Sequence, residues 1–226
     1  MRKEVCFLIR TILFDLDGTL LNTLEDLADA ANWVCTQNHW PTHPLDAYRY
    51  FVGNGIPKLV ERFSPAEART PDQLARTLAQ FTARYDAHKE DKTAPYPGIP
   101  ALLEALAAQG VRTAVFSNKA DPLCGPILDH YFGPGRFDGV RGSRPGVPTK
   151  PDPAGLFALM EDLRADPAQT LFVGDSDVDI LTGHNAGRPA LGVLWGFRTR
   201  EELARAGADA FAEKPEDILA FVRAQN

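Results

Sequence analysis

The sequence predicts an α/β fold, a doubly wound parallel sheet interrupted after its first strand by an all-helical block. Three observations carry this expectation. Short apolar runs recur between residues 112 and 211, most of them followed by a stretch with helical spacing. That alternation makes a parallel sheet with helices on both faces. A further apolar run, Ile12-Leu13-Phe14, lies far upstream of the others. Between them, residues 22–95 show helical patterns and no strand signal. The expected division is a Rossmann-like core of residues 1–21 and 96–226, with a helical cap of residues 22–95 inserted into it.

Taken in order, Ile12 to Phe14 read as a buried strand, and the pattern turns helical after Leu20. Asn22 or Thr23 can cap that helix, whose apolar stripe is Leu24, Leu27, Ala28, Ala31 and Val34. Pro41 and Pro44 end it. Further helices are expected over 56–63 and 73–88, and Pro95-Tyr96-Pro97-Gly98 reads as a linker. The core then resumes with helix 100–109, strand 112–117, helix 121–132, strand 137–141 and helix 153–165. Strand 170–174, helix 178–186, strand 190–195, helix 200–206, a short strand at 209–211 and helix 215–224 complete it. In such sheets ligands bind outside the carboxyl ends of the strands.

Composition narrows the class. The chain has 226 residues, 44% of them hydrophobic, and a net charge of −6. With a pI near 5.4 it lacks the basic excess of a nucleic-acid binder. A local cluster of lysines and amide dipoles can still receive an anion. Cys6, Cys35 and Cys124 are odd in number and far apart, which suggests free thiols in a reducing compartment. Met1-Arg2-Lys3 and the apolar residues up to Ile9 faintly resemble a signal peptide, but Arg10 interrupts the run and no small-residue cleavage site follows. No apolar run approaches a membrane span. The expectation is a cytoplasmic protein, monomer or homodimer, with neither nucleic acid nor membrane as partner.

The unusual polar residues fall at the predicted strand ends. In Phe14-Asp15-Leu16-Asp17-Gly18-Thr19-Leu20, Asp15 and Asp17 leave the strand on one side, because residues i and i+2 share a face. Such a close carboxylate pair repels, and a hard cation such as Mg²⁺ together with substrate phosphate relieves it. Asp15 is placed as a nucleophile toward phosphorus. Asp17 can protonate a leaving oxygen and then activate water. Gly18 lets backbone approach a phosphate, and Thr19 adds a hydroxyl. Asp-Gly alone would read as a turn. Ser117-Asn118 ends strand 112–117 and offers a hydroxyl and N–H groups to a phosphoryl oxygen, or an N-cap to the next helix. Lys119 reads as a solvated surface charge. Lys150, in a proline-rich loop before a helix, suits both phosphate and a carboxylate nucleophile. In Gly174-Asp175-Ser176-Asp177-Val178-Asp179, Asp175 leaves its strand as Asp15 does and is the natural third metal ligand. Asp179 lies one helical turn on, whereas Asp177 reads as a first-turn carboxylate.

This set resembles the haloacid dehalogenase superfamily of aspartate-nucleophile phosphohydrolases, over nearly the whole chain. The resemblance implies that Asp15 is phosphorylated and that Asp17 is the acid/base and gives its main-chain carbonyl to Mg²⁺. It implies Asp175 as metal ligand, Ser117 and Lys150 as phosphoryl holders, and Asp179 as support behind them. Within the superfamily, Phe14 to Thr23, Phe51-Val52-Gly53-Asn54-Gly55-Ile56, Tyr96-Pro97-Gly98 and Val193-Leu194-Trp195-Gly196-Phe197 are similar to the phosphoglycolate phosphatase group. That implies a small phosphorylated metabolite as substrate. The acceleration such a reaction demands is a reason to expect a closing cap, whose Gly53-Asn54-Gly55 loop either comes over the substrate, with Asn54 offering polar contacts, or is a plain helix–helix turn. A β-phosphoglucomutase-like mutase, a pyrophosphatase and a non-catalytic binding protein are the alternatives on the same fold. Lys58 and Arg62 are the basic residues nearest the cap loop.

Overall fold

The structure, a computed structural model, describes residues 8–225; the signal-peptide-like start and Cys6 lie outside the described residues. Strand β1 (Thr11–Phe14) is fully buried. A two-residue strand, β2 (Leu21–Asn22), leads into helices α1 (Leu24–Gln37), α2 (Leu45–Phe51), α3 (Ile56–Phe63) and α4 (Pro71–His88). Strand β3 (Ala94–Pro95) pairs antiparallel with β2, so the chain enters and leaves the helical block through one short ladder. Asn22 and Ala94, expected inside a block without strands, are part of it. The helices share an apolar cluster of their own, centred on Val34, Tyr48, Phe63, Phe81 and Tyr85.

The core continues with α5 (Ile99–Ala108), β4 (Arg112–Ala120), α6 (Asp121–Phe132), β5 (Gly139–Ser143), α7 (Ala154–Asp162) and β6 (Thr170–Gly174). It ends with α8 (Asp177–Asn185), β7 (Ala190–Val193), α9 (Arg200–Ala206), β8 (Ala210–Ala212) and α10 (Pro215–Gln225). The sheet order is β5-β4-β1-β6-β7-β8, and every pairing in it is parallel. Period-2 alternation explains the two-sided core: Ile12 and Phe14 join the cluster under α5, α6 and α10, while Leu13 joins the one under α7. The winding reverses at β1, between β4 and β6, which marks the carboxyl edge of these three strands as the ligand position.

Two differences from the sequence expectation matter for the site. Helix α2 was not anticipated; only Tyr48 of its residues is buried, too little apolar surface for a periodic signal. Strand β4 runs three residues further than expected, and its register with β5 shifts between Phe116 and Ala120. A bulge of that kind bends a strand and re-aims side chains.

Candidate active site

Asp15 stays on the line of β1, its N–H donating to the Val173 carbonyl at 2.9 Å. The turn after it is tight: Gly18 donates to the Leu21 carbonyl at 2.8 Å with φ of +89°. A Cβ on Gly18 would lie 2.4 Å from Asp175 Oδ2, so both conformation and space demand glycine here. Asp175 extends β6 and is held by the Phe197 N–H at 2.7 Å and the Thr19 hydroxyl at 3.2 Å. Thr19 therefore orients a carboxylate.

Asp179 forms a reciprocal capping box with Ser176, accepting from its hydroxyl at 2.6 Å and its N–H at 3.0 Å. That fixes the other oxygen toward Lys150. The Lys150 ammonium bridges Asp179 Oδ1 and Asp15 Oδ1, each at 2.7 Å. Lys150 is placed by its backbone, whose N–H donates to Asn118 Oδ1 at 2.8 Å.

Asp15, Asp175 and Asp179 can bring one oxygen each within 4.8 Å of one another. All are buried, with Lys150 as the near cation. Burial first, then the Asp179 charge, raises the Asp15 carboxyl against the opposing pull of Lys150. Burial, Asp179 and Asp15 likewise raise Asp175, against the Phe197 N–H. A set of hard oxygens with surplus negative charge fits Mg²⁺. The Asp17 carboxylate is not in this group; it turns to Lys119.

The bulge in β4 delivers Ser117, Asn118 and Lys119 in succession to the same edge. Lys119 is a correction. It is buried, its ammonium 3.2 Å from Asp17 Oδ1 and donating to the Tyr85 hydroxyl of α4 at 2.8 Å. Burial alone would lower its pKa; the Asp17 charge and Tyr85 outweigh that and raise it. No signal within the strand identifies it, because the register shift with β5 that places it is set by the partner strand.

Asn118, expected at the substrate, uses its side chain on protein. Its amide donates to the Gly53 carbonyl at 3.0 Å and the Lys150 carbonyl at 3.2 Å. Asn54 accepts from Arg62 at 2.8 Å and lines grooves beside the cap loop. Lys58 pairs with Glu61 at 2.7 Å. Asp177 is half exposed near Arg198, as expected for a first-turn carboxylate.

Asp15, Asp17, Ser117, Asn118 and Lys119 form the polar floor of a cavity. Leu27, Val52, Ile56 and Leu59 roof it from the helical block. The roof is tied down by reciprocal arginines. Arg49 of α2 donates to the Gly196 carbonyl at 3.0 Å, and Arg198 donates back to the carbonyls of Arg49 and Val52.

A family model described as haloacid dehalogenase-like hydrolase matches residues 9–187. The chain belongs to that family. Within the haloacid dehalogenase-like hydrolases it is 35% identical over 219 residues to a phosphoglycolate phosphatase of Pseudomonas putida, covering 95% of this chain and 78% of the relative. It is 36% identical over 218 residues to a phosphoglycolate phosphatase of Caulobacter vibrioides, covering 94% and 92%. Among solved structures it is similar to a predicted phosphoglycolate phosphatase from Haemophilus somnus, with TM-score 0.87, 32% identity, and 94% and 97% of the two chains covered. The Rossmann-like core with a helical insertion is thus the family's fold, and the chain is a hydrolase.

Proposed function

We propose that this hydrolase cleaves a small phosphate monoester through an aspartyl-phosphate on Asp15, with Mg²⁺, in the manner of a phosphoglycolate phosphatase. The observation that carries the reading is the placement of Asp15, buried at the sheet's switch point between Lys150 at 2.7 Å and the carboxylates of Asp175 and Asp179. In the first displacement Asp15 attacks phosphorus and the ester oxygen leaves with a proton from Asp17; in the second, Asp17 takes a proton from the water that releases phosphate. Lys150 and Ser117 hold the phosphoryl oxygens. Asp15 and Asp175, with the main-chain carbonyl of Asp17, would hold the metal, since both oxygens of Asp179 are engaged by Lys150 and Ser176. When bound, Mg²⁺ neutralises charge that otherwise repels an anionic ester from a carboxylate nucleophile. Uncatalysed monoester hydrolysis is so slow that up to roughly 10²¹-fold acceleration is asked of such enzymes. Positioning under a roof that excludes water is the main resource for it.

A phosphomutase would need a second phosphate site in the cap. The basic residues that could form it, Lys58 and Arg62, have protein partners, which favours water as the acceptor. The test is phosphate release from a panel of small monoesters. Asp15→Asn is expected to abolish turnover while its melting curve stays native-like, and EDTA to stop wild-type turnover until Mg²⁺ is returned. Substantial Mg²⁺-dependent turnover by the Asn variant removes Asp15 as nucleophile; full activity in EDTA removes the metal.

A further inference from the structure

The site contains two buried lysines, and only one of them is needed at the nucleophile. Lys150 is committed to Asp15 and Asp179. Lys119 stands beside Asp17 and is the one cation among the described residues that line the cavity. Its side chain is 2% exposed, so water does not screen it. An ammonium has three N–H donors. Asp17 and Tyr85 take two, leaving a third for the space that the residue lines.

We propose that Lys119 binds a second anionic group on the substrate, a carboxylate, and so selects the phosphate ester of a short hydroxy acid over neutral esters of the same size. The inference rests on the phosphatase reading above and names the residue that selects its substrate. Three features support it. Lys150 shows in the same site that one buried ammonium holds two carboxylates at 2.7 Å, so Asp17 does not exhaust Lys119. The roof side chains Leu27, Val52, Ile56 and Leu59 are apolar, and an unpaired charge against them is costly, so the floor's one ammonium is the favoured place for an anion. The cavity is small, about 40 Å³, room for about three or four waters at roughly 10–15 Å³ each, so it favours a short ester over a long one. Phosphoglycolate is the simplest ester that meets all three conditions.

A purely structural reading has Lys119 only neutralising Asp17 and tying α4 to the core through Tyr85. The two readings separate in a ratio. Phosphoglycolate and its neutral isostere 2-hydroxyethyl phosphate are compared by kcat/KM in wild type, Lys119→Met and Lys119→Arg, with Mg²⁺ saturating. Damage to Asp17 chemistry lowers both substrates and cancels. Wild type is expected to prefer the acid by roughly 10–100-fold, the range for a hydrogen bond to a charged group. Lys119→Met should bring the ratio near one and Lys119→Arg should keep most of it. A ratio unchanged in Lys119→Met overturns the proposal. If the Met variant does not fold, inhibition of wild type decides: 3-phosphonopropionate should bind more tightly than propylphosphonate by a similar factor, and equal binding overturns the proposal. Wild type that hydrolyses neither ester, while its metal-dependent turnover of other monoesters persists, overturns the substrate class alone. No turnover of any monoester overturns the phosphatase reading itself.

Discussion

Asp26 offers a prediction whose size can be worked from the geometry. It is buried in the first turn of α1, and it is held by N–H and O–H donors rather than by an ion pair among the described residues. Oδ1 accepts from the Lys92 N–H at 3.0 Å, and Oδ2 from the Lys92 N–H at 3.1 Å, the Thr93 N–H at 2.8 Å and the Thr93 hydroxyl at 2.7 Å. This one carboxylate fastens the start of the helical block to its end, next to the β2–β3 ladder. In Asp26→Asn the amide oxygen can serve Thr93, but the amide nitrogen then opposes the Lys92 N–H, donor against donor. One charge-assisted bond is lost, at about 1.5–3 kcal/mol, and the Thr93 pair weakens to neutral strength, for a total of about 2–4 kcal/mol. In a chain of this size each kcal/mol moves Tm by roughly 2–4 °C, so a fall of about 5–15 °C is expected. Thermal melts by circular dichroism measure it. Thr93→Val added to Asp26→Asn should cost less than it does alone, because the two residues share a network. A Tm within about 1 °C of wild type, or strict additivity, refutes the account.

Gly18→Ala places a Cβ against Asp175 at a positive φ; a disturbed carboxylate of this kind should raise the Mg²⁺ concentration for half-maximal activity by about 10–100-fold, read from a magnesium titration of phosphate release. Lys150→Met removes the cation between Asp15 and Asp179 and should lower kcat/KM by about 10³-fold or more, with loss of less than tenfold counting against its role. Mg²⁺ should raise the Tm of wild type and leave that of Asp175→Asn nearly unmoved. Asp15 and Asp175 have folded pKa values raised to about 7 and about 8 from 3.8. Their contribution to metal-free stability is therefore present at low pH and lost as pH rises through those values. Protons and Mg²⁺ compete for the same oxygens, so the magnesium-induced Tm shift should grow between about pH 5 and about pH 8, and a shift that shrinks contradicts the assignment.

Much of the core was legible because its determinants are local. Helix 200–206 and strand 170–174 were read with the bounds the structure gives, each from an apolar run and its punctuation. The carboxylates at the ends of β1 and β6 were legible for the same reason, a polar residue where an apolar strand stops. What escaped depends on partners distant in sequence. The bulge in β4 is a register relation with β5, invisible in the strand itself, and it turns Lys119 from a presumed surface residue into the floor of the cavity. The side-chain bonds of Asn118 and Thr19 were not legible, because their partners, Gly53 and Asp175, lie 65 and 156 residues away.

The reciprocal arginines give the loop after β7 two duties. Gly196 receives Arg49, the next residue, Phe197, seats Asp175, and the next, Arg198, grips the last turn of α2. The seat of Asp175 and the clasp of the cavity roof are thus successive words in one short phrase of backbone. Loss of either clasp, in Arg49→Ala or Arg198→Ala, is therefore expected to loosen the peptide that aims Asp175 and to raise the Mg²⁺ concentration for half-maximal phosphate release. The cover of the site and the aim of a carboxylate within it are set by the same three residues.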